Sequence, residues 1–286
     1  MKGVKVMVDK KASLDDTLMG KFPDKEAFLK RLAGELNQVL GDSDQSPEKS
    51  NNAQKLMNSY LYSYPVMVGC FEKLFPRDER DARKNKGDSR EKVGDPGEKI
   101  PDLVGALFMV YGWMPTTLRL NSGNEPNPEK LKRVLAFLSE LSKKKPSDIL
   151  ANLNGREEGL KILKEMMGDS IVGLSKFMHF FNPSVFPMYD SNIALALNHN
   201  FKATSNYIAY AKSFHKNLRR FDLDGVDYIN AAYCLEDLEE PIKKFEDKFH
   251  YRITPVRAME FVLFQEGREE NRKIREGKKK SKQGNK

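Results

Sequence analysis

Residues 168–200, GDSIVGLSKFMHFFNPSVFPMYDSNIALALNHN, constrain the fold more than any other part of the chain. Apolar residues recur there at helical spacing and stop at Asn182-Pro183, because a proline ring removes a backbone donor and clashes with the preceding turn. Phe186-Pro187-Met188-Tyr189 must return in extended form, since the residue before a proline avoids the α region. Asp190 or Ser191 then caps a helix running through Ile193, Ala194, Leu195 and Leu197. Gly173 and Ser175 are expected to allow a tight turn ahead of Lys176. The order helix, reversal, helix leaves Lys176 and Asp190 fourteen positions apart, on facing elements.

The same periodicity makes most of the chain helical. Residues 1–75 read as a mostly helical region, with a short strand at 4–8 and a helix at about 24–40 that lines up Phe28, Leu32, Leu36 and Leu40. A further helix over 52–75 should break or bend at Pro65. Residues 76–101 crowd charges together with almost no apolar side chains, so they cannot bury a core and should connect two lobes. A helical domain over 102–267 and a basic tail over 268–286 complete the plan. The expected fold is mainly α, two-lobed, with little strand.

Composition narrows the chemistry. The two cysteines, Cys70 and Cys234, exclude a disulfide framework, a four-cysteine zinc site and a cysteine-held iron–sulfur cluster. The four histidines show no metal-ligand spacing, and no metal or cofactor is expected. Phosphate-loop, dinucleotide and nucleophile-elbow motifs are absent from the sequence. No apolar run reaches membrane-spanning length and the N-terminus has no secretory pattern, so a cytoplasmic monomer away from membranes is expected.

A net charge of +8 and a pI near 9.2 make a polyanion a reasonable partner. Lys212, Lys216, Arg219 and Arg220 fall on one helical face by the three-and-four rule, and Lys278, Lys279, Lys280 and Lys282 add a basic end. An ordinary wet face is the competing reading of both.

Lysine and aspartate together suggest chemistry at a sugar carbon. A partly desolvated lysine has a depressed pKa and becomes a nucleophile. A nearby carboxylate can stabilise the oxocarbenium-like charge that develops as a base departs. Such a base must leave the stack and lie against an aromatic face, for which Tyr189 is the candidate, while His179, a turn beyond Lys176, could relay a proton or serve as a hydrogen-bonded core residue.

These residues resemble the helix-hairpin-helix DNA glycosylase superfamily, which includes endonuclease III and 8-oxoguanine DNA glycosylase, over roughly residues 155–200. Gly173-Leu174-Ser175-Lys176 looks like the hairpin and its lysine, and the segment Phe186 through Ile193 looks like the one that delivers the essential aspartate. The resemblance implies a helix-hairpin-helix-like element, Asp190 and Lys176 as catalytic residues, and a DNA phosphate gripped by backbone N–H groups near Gly173 and Ser175. With Tyr189, Asn192, His179, Lys212 and Lys216 as further substrate or DNA contacts, the expected activity is removal of a damaged or modified base from double-stranded DNA. The use could be repair or defence against foreign DNA. A lyase step depends on Lys176. The reading from another class is a non-enzymatic helical module that binds nucleic acid or protein.

Overall fold

Caps and prolines set where the helices begin. Ser13 accepts the Asp16 N–H at 3.1 Å and opens α1 (Leu14–Lys21). Asn127 accepts from Glu129 at 2.9 Å just ahead of Pro128, whose missing N–H suits a first helical turn. The structure, a computed structural model, describes residues 13–41, 52–76, 99–113, 127–153, 157–229 and 236–283. Within them run α1, α2 (Lys25–Gly41), α3 (Asn52–Leu74), α4 (Ile100–Trp113), α5 (Pro128–Ser142), α6 (Pro146–Asn152), α7 (Glu157–Met166), α8 (Ile171–Phe181), α9 (Ser191–Leu197), α10 (Thr204–Arg220), α11 (Glu236–Phe249) and α12 (Pro255–Gln283). No strand occurs among the described residues, and the fold is mainly α. The strand expected at 4–8 and positions 77–98 of the expected connector lie outside the described residues.

Neither Pro65 nor Pro241 ends its helix; both stand inside α3 and α11. Thr254 accepts the Arg257 N–H at 3.1 Å, and α12 then continues to Gln283, through most of what the sequence suggested was a tail.

The N-terminal helices pack against the C-terminal ones. Helix α2 lies on α11 and α12, and α1 lies on α10. Charge fixes this docking: Glu266 of α12 is held by Lys21 and, at 2.7 Å, by Arg31, while Asp15 of α1 binds Ser213 and pairs with Lys216 of α10 at 2.5 Å. The buried residues from Leu18 to Leu263 form one continuous cluster. Its weight is apolar: α10 alone buries Tyr207, Ile208, Tyr210, Phe214 and Leu218, each contributing about 1.5–3 kcal/mol, whereas an exposed ion pair adds about 0–1. Helix α8, with Phe177, Met178, Phe180 and Phe181 fully or almost fully buried, runs through this cluster and carries Lys176.

Candidate active site

One hydroxyl stitches α8 to the extended segment before α9. Ser175 Oγ accepts the Tyr189 N–H at 2.9 Å and stands 2.9 Å from the Val172 carbonyl and 3.0 Å from the Tyr189 carbonyl, to one of which its proton goes. The next residues along each chain segment are Lys176 and Asp190. The clamp joins the two segments next to both residues, whose charges act on each other, and both are half-buried and still reach the surface.

Asp190 is the cap of α9. Its Oδ1 accepts the N–H groups of Asn192 and Ile193, each at 2.9 Å, and its backbone is extended. Burial pushes its carboxyl above the ordinary range, against the opposing pull of the Ile193 N–H and the Lys176 charge. Burial likewise pushes the Lys176 ammonium down, with Asp190 working the other way and Arg257 reinforcing the shift. The site thus holds an amine that sheds its proton more easily than a surface lysine, beside a carboxylate whose second oxygen makes no part of the cap. Tyr60 of α3 is the third group here: burial, and then the Asp190 charge, raise its phenol, so it keeps its proton as a donor.

A buried ionic set stands behind this pair. Glu260, fully buried on α12, accepts the Met188 N–H, lies 3.2 Å from His179 Nδ1 and pairs with Arg257 at 3.1 Å. His179 Nδ1 also lies 2.8 Å from the Phe186 carbonyl, and its Nε2 meets the Tyr64 hydroxyl at 2.7 Å. The Arg257 guanidinium covers the Tyr64 ring at 4.7 Å, and its Nε is buried without a hydrogen-bond partner. Burial alone would raise the Glu260 carboxyl, yet His179 and Arg257 overcome it and hold the carboxyl below its ordinary value. Glu260 is an anion at the centre of the protein.

Several expected positions turn out differently. Gly173 and Ser175 do not form a turn; they lie inside α8, where the Gly173 N–H is already taken by the capping hydroxyl of Ser170 at 3.0 Å and Ser175 is the clamp. The turn sits earlier, at Gly168 and Asp169, with φ of 63° and 58°; at the first, a residue without a Cβ meets no steric penalty. Tyr189 is 2% exposed, packs on Phe201 and Tyr210, and uses its hydroxyl to bridge the His199 carbonyl and the Phe201 N–H, so it presents no face to a base. His179 is fully buried and belongs to the ionic set. The face of Lys212, Lys216, Arg219 and Arg220 stays largely exposed, but three of its charges have protein partners: Lys216 pairs with Asp15, Arg219 with Asp224 at 3.0 Å, and Arg220 donates to the carbonyls of Phe22 and Pro23. Asn192 is half-buried, its side chain 3.4 Å from Asn271 of α12.

Tyr60, Arg257 and Glu260 were not singled out as site residues from sequence. One signal did exist: Arg257 and Glu260 are the only charges in the apolar run ITPVRAMEFVLF, which is the pattern of a pair buried together. Among the described residues, no group of three or more His, Cys, Asp and Glu side chains is arranged to hold a metal ion, and no helix is long and apolar enough to cross a membrane. No family model matches the chain, and no curated protein or solved structure matches it.

Proposed function

We propose that the protein is a DNA glycosylase that removes a damaged or modified base by cleaving its N-glycosidic bond. The observation that carries this reading is the clamped pair of Lys176 and Asp190, an amine pushed down and a carboxylate pushed up by the same partial burial. With the nucleotide extruded, the Asp190 carboxylate faces the sugar and stabilises the positive charge that grows at C1′ as the base leaves with the bonding electrons. Unprotonated Lys176 supplies its lone pair to C1′, forms the N–C bond and loses a proton, and ring opening gives an iminium that borohydride reduces. Where water takes that place, Asp190 accepts its proton and an abasic site results without a lyase step.

The supports are this pair, the Tyr60 phenol that feels the Asp190 charge, the positive net charge, and the likeness of the segment Phe186 through Ile193 to the one that delivers the essential aspartate in helix-hairpin-helix glycosylases. The exposed Arg272, Lys273, Arg275 and Lys278 of α12, in a basic stretch of sequence, favour a second reading, a nucleic-acid-binding module without catalysis. One experiment separates them. Double-stranded DNAs bearing single modified bases are incubated with the wild type and with Asp190→Asn, and abasic sites are counted. The glycosylase reading expects one or more substrates to be cut and the variant to lose about a hundredfold or more in rate while still binding DNA. Binding without base release on any substrate leaves the module. Borohydride trapping that disappears in Lys176→Ala assigns the lyase step to that lysine, and the panel itself distinguishes common lesions, as in repair, from the bulky bases of foreign DNA.

A further inference from the structure

The segment 186–190 is neither helix nor strand, and no strand occurs among the described residues, so its polar groups must be satisfied some other way. Side chains do it. The Phe186 carbonyl faces His179, the Pro187 carbonyl accepts from Tyr207 at 3.0 Å, the Met188 carbonyl accepts from Tyr210 at 2.8 Å, and Tyr189 is held at both ends by Ser175. The Met188 N–H goes to Glu260. Glu260 is the one ionised acceptor in this set, and it is tied to three helices at once: to α8 through His179, to α3 through His179 and Tyr64, and to its own α12 through Arg257.

A buried ion pair is a poor stabiliser, because well-packed apolar residues of similar volume are generally as stable or more so; its value lies in fixing one geometry. We infer that Glu260 is the positioning residue of the candidate site: its carboxylate, locked between His179 and Arg257, accepts the Met188 N–H and so sets the register of the segment that ends in Asp190. The tight packing of α12 on α9 agrees with this. A Cβ on Gly267 would stand 1.9 Å from the Asn192 carbonyl oxygen, so the helix that carries Glu260 bears directly on the backbone two residues beyond Asp190.

This inference takes from the proposed function only the role of Asp190, and its test is chosen so that the two can fail separately. The N–H groups of Asn192 and Ile193 are bonded by the Asp190 carboxylate, so their hydrogen exchange reports its position without any DNA. In full-length Glu260→Gln, exchange at Met188, Asn192 and Ile193 should accelerate by about tenfold or more while amides of α2, α5 and α10 keep their protection, and Glu260→Ala, which offers Met188 no acceptor, should go further. On a cleaved substrate the same variants should lower the single-turnover rate and leave DNA affinity within about twofold. Unchanged exchange at Asn192 and Ile193 overturns the inference. If both variants lose protection everywhere, Tyr64→Phe decides: it removes only the hydroxyl at His179 Nε2, and it should still loosen those two amides, whereas wild-type exchange there overturns the inference equally. A wild type that cuts no substrate would end the glycosylase reading and leave the exchange result standing.

Discussion

Helix α12 carries the same chemistry twice, with opposite consequences. Near its start, Arg257 and Glu260 are three residues apart, 13% and 0% exposed, and pair at 3.1 Å; further along, Glu269 and Arg272 have the same spacing, are 46% and 61% exposed, and pair at 2.5 Å. The shorter contact is the less important one. Water can replace either member of the second pair, while in the core nothing takes the place of a missing charge in the first. The glycines repeat the lesson. Gly267 touches the Asn192 backbone, and Gly277 has open space around it. Distance along one helix, rather than residue type, divides a framework for the site from a solvated basic arm.

The sharpest way to break this comparison is to remove one carboxylate from each pair. Glu260→Ala should lower stability by about 3–5 kcal/mol, since it strands Arg257 in the core, whereas Glu269→Ala should leave the thermal midpoint unchanged. Equal effects in denaturant titration would mean that burial does not separate the two halves. Next in size are the glycines. Gly267→Ala forces α12 off α9 and should cost about 1–3 kcal/mol, while Gly277→Ala removes a flexible residue from an exposed helix and should gain up to about 1 kcal/mol.

A smaller effect belongs to the charge sheltered beside the buried half. Burial holds Lys176 below the ordinary lysine value of 10.5, so the folded protein binds this proton less tightly than the unfolded chain. The penalty is fully present below the folded pKa and fades as pH rises from there toward 10.5, because the unfolded state then gives up its proton too. Lys176→Met should therefore raise the melting temperature by about 2–4 °C near neutral pH, with a gain that shrinks at alkaline pH. A pH-independent gain would assign the effect to packing. The smallest expected change in the fold comes from the exposed half. Replacing Lys278, Lys279, Lys280 and Lys282 with glutamine should leave melting untouched and, if the arm meets DNA, make the salt dependence of binding shallower by about 0.9 for each phosphate that is no longer neutralised.

How much of the site could be read in advance follows from the range of the forces involved. Asp190 as a cap and the proline stop after α8 are local, set within four residues by backbone hydrogen bonding. The supposed turn at Gly173 failed for a local reason as well: Ser170 is a better cap, and the preceding Gly168 and Asp169 had already absorbed the reversal. That Tyr189 and His179 lie in the core was not legible, because an aromatic or imidazole beside a reactive residue looks the same in sequence whether it faces a cleft or the core.

The sequence by itself determined that this chain would be helical, where several of its helices would start, and that Lys176 and Asp190 would stand on consecutive elements, because periodicity and capping act over a few residues. Only the tertiary structure decided what those residues face. The pairing of Glu260 with His179 and Met188, of Glu266 with Lys21 and Arg31, and of α12 with the backbone at Asn192 joins positions far apart in the chain. Such contacts depend on which apolar faces meet first. Charge then follows burial, because a buried ion that finds no counter-ion is too unfavourable to keep.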